Sequence, residues 1–101
     1  MRTTIILAVP ATFDRSAAEA WGAAMGDEFF RKGANVQLGP GVCLARVPRN
    51  GRNFEYISGE DPYLGFTLAQ PVIAGIQANK VIANAKVLLY VYISFVWICL
   101  R

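Results

Sequence analysis

Three side chains in this sequence have the types and spacing to grip a polar ligand: Arg52, Glu55 and Lys86. Arg52 sits in the polar knot Gly51-Arg52-Asn53-Phe54-Glu55, inside a long loop that covers residues 39–61. Its guanidinium is a planar fork of donors, suited to ligand hydroxyls or to a carboxylate. The competing reading is a structural Arg52–Glu55 pair that holds the loop's own shape. Asn53 adds an amide to the same knot. Lys86 follows an apolar, strand-like run, where it either donates to a ligand hydroxyl or stands as a solvated strand end. Arg46 and Arg49 are separated by Val47 and Pro48 and read as solvated loop charges.

Other chemistry is excluded by what the chain lacks. There is no histidine, which removes the commonest general base and metal ligand. The two cysteines, Cys43 and Cys99, lack metal-type spacing and read as free thiols. Glu60-Asp61 reads as a helix cap and Asp14 as a turn or helix-entry residue. Glu55, beside Arg52, would be held ionised, which suits an orienting group better than an acid or base. No P-loop or GxGxxG fingerprint is present. Trp21 and Met25 read as core. These residues assign no catalytic group, no metal and no cofactor to the chain. The net charge of +3 is modest and forms no basic run, so nucleic acid is not an expected partner.

The elements that must position these groups follow from periodicity. Ser16-Ala17-Ala18-Glu19 has the form of a capping box. Ala18, Trp21, Met25 and Phe29 then recur at helical steps, and Gly33 marks the stop. Gly22 and Gly26 weaken that helix by about 1 kcal/mol each relative to Ala; close approach of a neighbouring element is their expected return. Asn35-Val36-Gln37-Leu38 reads as a short strand. After the loop, Asp61-Pro62 opens a second helix with Leu64, Leu68, Val72 and Ile76 on one side. Pro71 cannot donate to the Thr67 carbonyl, so a kink or two shorter helices are expected. Val81-Ile82-Ala83-Asn84-Ala85 reads as a buried strand ending at Lys86. The order helix–strand–long loop–helix–strand implies parallel strands joined by a crossover. The loop and Lys86 then lie on one edge of the sheet, the edge where α/β folds place their sites.

The ends differ from this middle. Hydrophobic residues make up 54% of the chain, and residues 87–101 are apolar except for Ser94 and the final Arg101. That run is shorter than the ~20 residues needed to cross a bilayer. A small non-catalytic protein that meets a membrane or a partner chain through this tail is the alternative function. Residues 5–9 are apolar but shorter than the roughly 7–15 residues of a signal-peptide core, so the compartment stays unassigned.

From residue 10 to 86 the chain resembles the N-terminal domain of glycoside hydrolase family 3, nearest to its β-glucosidases. The resemblance rests on Ala11-Thr12-Phe13-Asp14-Arg15, Gly26-Asp27-Glu28-Phe29 and Lys32-Gly33-Ala34-Asn35-Val36-Gln37-Leu38-Gly39-Pro40. It continues through Gly51-Arg52-Asn53-Phe54-Glu55, Asp61-Pro62-Tyr63-Leu64-Gly65, Gly75-Ile76-Gln77 and Val81-Ile82-Ala83-Asn84-Ala85-Lys86. It implies an α/β fold, here part of a (β/α)8 barrel, and retaining hydrolysis of β-glycosides such as glucosides or oligosaccharides. It also implies that Arg52 and Lys86 bind hydroxyls of the terminal sugar, with Glu55 and Asn53 in support. The sequence departs from the family after Lys86, where a sugar-binding His and an aromatic give way to Val87 and Leu88. An upstream sugar-binding Asp is not supplied by residues 1–9. The nucleophile Asp and acid/base Glu are expected beyond Lys86 and are absent from this chain, which is read as an inactive fragment by itself. Residues 87–101 are read either as true coding sequence or as a translated intron, since a valine codon carries the GT that opens most introns.

Overall fold

In the computed structural model the described residues are 8–86; the apolar tail and most of the N-terminal apolar segment lie outside them. The element order is a 3-10 turn at Pro10–Thr12, helix α1 (Arg15–Arg31), strand β1 (Val36–Gln37), a 3-10 turn at Asn53–Glu55, helix α2 (Pro62–Ala78) and strand β2 (Ile82–Ala83). This is a mixed α/β unit of two helices and a short parallel sheet, in the order expected from the sequence.

α1 begins at Arg15, one residue before the predicted cap. Asp14, in extended backbone at φ −107 and ψ 115, is the N-cap. Its Oδ1 accepts from the Ser16 amide at 2.8 Å and from the Ser16 hydroxyl at 2.8 Å. The Ser16–Glu19 capping box is thus replaced: a carboxylate two residues upstream reaches the same free amides, and Ser16 donates to it. Gly33, with φ +78, supplies the left-handed stop after α1. α2 starts as expected, with Asp61 Oδ1 accepting from the Tyr63 amide at 2.9 Å and Pro62 in the first turn.

α2 runs without interruption through Pro71. The expectation of two shorter helices is corrected on this point. Pro71 is itself buried, together with Leu68, Val72, Ile73 and Ile76. Packing of this apolar face outweighs the one backbone bond that proline removes. Each fully buried Leu or Ile of this set contributes about 1.5–3 kcal/mol by leaving water.

The two helices meet backbone to backbone. A Cβ at Gly22 would collide with the Val72 carbonyl, and one at Gly26 would lie 2.7 Å from the Ile76 carbonyl oxygen. The Asn79 amide bridges this contact, donating to the carbonyls of Ala23 at 3.0 Å and Gly75 at 3.1 Å. The glycines therefore exchange helix propensity for proximity, as their spacing suggested.

β1 and β2 pair in parallel, Val36 with Ile82 and Gln37 with Ala83. Gln37 and Ala83 face the helices and are buried, while Val36, Leu38 and Ile82 are 43%, 69% and 60% exposed. The sheet therefore has one covered face and one apolar face without cover among the described residues. Gln37 donates to the Met25 sulfur at 3.3 Å, and its Oε1 is buried without a partner among the described residues. No described helix is long and apolar enough to cross a membrane.

Candidate functional site

The loop of residues 39–61 is tied to both strands before it reaches its polar tip. Past the Val36–Gln37 pairing the ladder resumes: the Lys86 amide donates to the Pro40 carbonyl at 3.2 Å, and the Val42 amide donates to the Lys86 carbonyl at 3.3 Å. The returning limb crosses over this segment. The Ile57 amide donates to the Gly41 carbonyl at 3.0 Å, and the buried Ser58 hydroxyl donates to the Val42 carbonyl at 3.0 Å. Gly41 has no room for a side chain, since a Cβ would sit 2.7 Å from the Tyr56 ring. Tyr56, Ile57 and Ser58 are all buried, so a loop of this length has a core of its own.

The tip is held by side-chain amides. Asn53 Nδ2 donates to the Val47 carbonyl at 3.0 Å, and Asn50 Nδ2 donates to Asn53 Oδ1 at 3.1 Å. Asn53 thus supports the knot as a brace for the outer turn. The 3-10 turn at Asn53–Glu55 places Glu55 over Arg52, whose carbonyl accepts from the Glu55 amide at 3.0 Å. Arg52 Nε donates to Glu55 Oε1 at 2.9 Å and Nη2 donates to Oε2 at 2.7 Å. The structural Arg52–Glu55 pair left open by the sequence is therefore present.

The charges respond to one another. The Arg52 hydrogen bond holds the Glu55 carboxyl below the usual glutamate range against an opposing push from partial burial, and the charges of Arg52 and then Lys86 add to it. Glu55 in turn raises the Arg52 guanidinium further above its already high value. Lys86, half-buried beyond β2, pairs with Gly41, whose Cβ position lies 3.2 Å from the Glu55 carbonyl oxygen. The fold brings Arg52, Glu55 and Lys86 to one edge, although residues 52 and 86 belong to different limbs.

The chain has seven carboxylates, and most have structural partners. Asp14 and Asp61 cap helices. Asp27 pairs with Arg31 at 2.9 Å and Glu28 with Lys32 at 2.6 Å, along the α1 surface. Glu55 is bound by Arg52. No group of His, Cys, Asp or Glu among the described residues could hold a metal ion. A hollow of about 290 Å³ is lined by Met25, Glu28, Phe29, Lys32 and Ala34 and includes none of the three charged residues. Cys43 is a free, half-buried thiol whose Sγ lies 3.6 Å from the Leu44 carbonyl oxygen.

The pattern that defines the Glycosyl hydrolase family 3 N terminal domain matches residues 3–88. The chain belongs to glycosyl hydrolase family 3. Beta-glucosidase BoGH3A of Bacteroides ovatus is 51% identical over 69 residues, which are 68% of this chain and 9% of that enzyme. Beta-glucosidase B of Emericella nidulans is 50% identical over 76 residues, 75% of this chain and 9% of the relative. Thermostable beta-glucosidase B of Acetivibrio thermocellus is 45% identical over 75 residues, 74% of this chain and 10% of the relative. This family 3 chain thus spans about a tenth of the length of the curated relatives it matches.

Gly41, Tyr56 and Ser58 escaped the sequence reading, although they fix where the family 3 loop carries Arg52. Their signal was faint: a glycine just past the first strand and an apolar pair after the polar knot.

Proposed function

We propose that this chain is the sugar-gripping part of a β-glucoside hydrolase, with Arg52 and Lys86 donating to hydroxyls of the terminal sugar and Glu55 and Asn53 orienting Arg52. In this reading residues 10–86 are a slice of a (β/α)8 barrel, flanked by residues 1–9 and 87–101, and the sheet edge that carries the loop is the barrel's active edge. The observation that supports it is the convergence of Arg52, Glu55 and Lys86 at that edge in a chain of this family. Retaining hydrolysis takes two carboxylates ~5 Å apart across the anomeric carbon. Glu55 is committed to Arg52, and Asp14, Asp27, Glu28 and Asp61 are committed to caps or surface pairs, so the reacting pair comes from outside these residues.

Two measurements test the proposal. The chain alone should not hydrolyse an aryl β-glucoside above the blank. A chimera of Beta-glucosidase B from Emericella nidulans, with its matching stretch replaced by residues 10–86, should hydrolyse it. Arg52→Met in that chimera should lower kcat/KM by roughly a hundredfold, the scale of losing a hydrogen bond to a charged group together with the orientation it gives. An active chimera indifferent to Arg52→Met and to Lys86→Met would refute the sugar-gripping roles.

A further inference from the structure

The Arg52–Glu55 geometry also bears on the charge a ligand can carry. Nε and Nη2 of Arg52 each donate to one oxygen of Glu55. That side-on fork is one of the two edges an incoming carboxylate could use for bidentate binding, and Glu55 fills it. Nη1 makes no bond to Glu55, so the end-on edge of the guanidinium keeps its donors for a ligand, and the nearby Glu55 charge is what tells a hydroxyl from a carboxylate there. The arginine side chain is 63% exposed, so a ligand reaches it without displacing the loop.

A ligand carboxylate arriving at Nη1 meets the Glu55 carboxylate at close range, whereas a hydroxyl does not. Glu55 also cancels one of the two positive charges that Arg52 and Lys86 would otherwise present. Resting on the sugar-site reading above, we propose that Glu55 is a specificity-determining residue of this site: it admits neutral sugars and rejects hexuronates. The rejection is electrostatic and needs no steric block, since it comes from a charge fixed in place by two hydrogen bonds. Glu55 remains ionised at neutral pH because Arg52 stabilises its charged form.

The test uses the ¹⁵N-labelled chain and follows the Arg52 Nε–H signal. Sodium glucuronate and methyl β-glucoside are titrated separately into wild type, Glu55→Gln, Glu55→Ala and Glu55→Asp. Glucuronate should leave the wild-type signal in place and should shift it in the Gln and Ala variants, with affinity raised about tenfold, the order expected for removing a unit charge about 5 Å away. Glu55→Asp keeps the charge and should keep the exclusion, which separates charge from shape. Wild-type binding of glucuronate as tight as in the neutral variants, or neutral variants that gain nothing, overturns the proposal. Two neutral variants are used so that if one fails to fold the other still supplies the comparison with wild type. The glucoside arm reports on the underlying site: no shift with glucoside, alongside exclusion of glucuronate, would remove the sugar-site reading and leave the charge rule standing.

Discussion

Gly26→Ala probes the contact that sets α1 against α2 and thereby the position of both strands. A Cβ at residue 26 would lie 2.7 Å from the Ile76 carbonyl oxygen, 3.0 Å from Ile76 Cα and 3.0 Å from Asn79 Cβ. Two of these atoms are backbone of the other helix, so no rotamer change relieves the clash and α2 has to move. Overpacking of this kind costs about 1–3 kcal/mol. The shift also strains the Asn79 bond to the Ala23 carbonyl, now 3.0 Å, worth about 1 kcal/mol. Alanine returns about 1 kcal/mol through helix propensity. The expected net loss is about 2 kcal/mol, or a Tm lower by roughly 8–16 °C for a domain of this size. Urea unfolding followed by tryptophan fluorescence reads it, since Trp21 packs against the core. Gly51→Ala is the control: nothing lies within 4 Å of its Cβ position, so its change should stay within about 0.5 kcal/mol. A Gly26→Ala midpoint equal to or above wild type, with an unchanged slope, would refute the backbone-to-backbone contact.

Gly41→Ala should displace Tyr56, whose ring sits 2.7 Å from the new Cβ; NMR should show shifts around Arg52 and Glu55 with α1 largely unaffected. Asp61→Ala removes the α2 cap and should lower stability by about 1 kcal/mol in urea unfolding. The pH response of the loop follows from Glu55, whose carboxyl is depressed in the folded chain, chiefly by its hydrogen bond from Arg52, and returns to about 4.3 on unfolding. The folded form binds the proton less readily, so the pair stabilises the loop above that ordinary value and the contribution is lost as pH falls through the lower folded value. Hydrogen exchange at the Glu55 amide, after correction for its intrinsic rate, should show protection steady above about pH 5 and declining below it, with Glu55→Gln lacking this step.

Local rules carried the reading as far as local physics reaches. The glycine spacing of α1, the Asp61-Pro62 start and the parallel strand order were all legible, because each rests on residues near one another in sequence or on one periodic face. The first cap was misplaced because Asp14 and Ser16 are both good caps, and only the backbone decides between them. Pro71 was read as a kink or a division into two helices because its lost bond is visible in sequence, whereas the burial that keeps α2 continuous is tertiary. Arg52 was balanced between ligand and brace for a similar reason. The structure supplies the brace through a 3-10 turn that the knot's composition did not announce. Least legible was the anchoring of Tyr56 and Ser58 on Gly41 and Val42, a contact across the loop with no periodic pattern behind it.

The pair of backbone hydrogen bonds between Lys86 and the loop has an engineering consequence. Its amide and carbonyl are both tied to the segment that begins the loop, through Pro40 and Val42. The two cationic groups therefore share one mechanical base, and their spacing is governed by main chain near the sheet. The exposed outer bend, around Pro48, Arg49 and Gly51, bears little of that load. A fluorophore or tag inserted there would meet the Asn50–Asn53 and Asn53–Val47 bonds of the tip first and would leave that base in place.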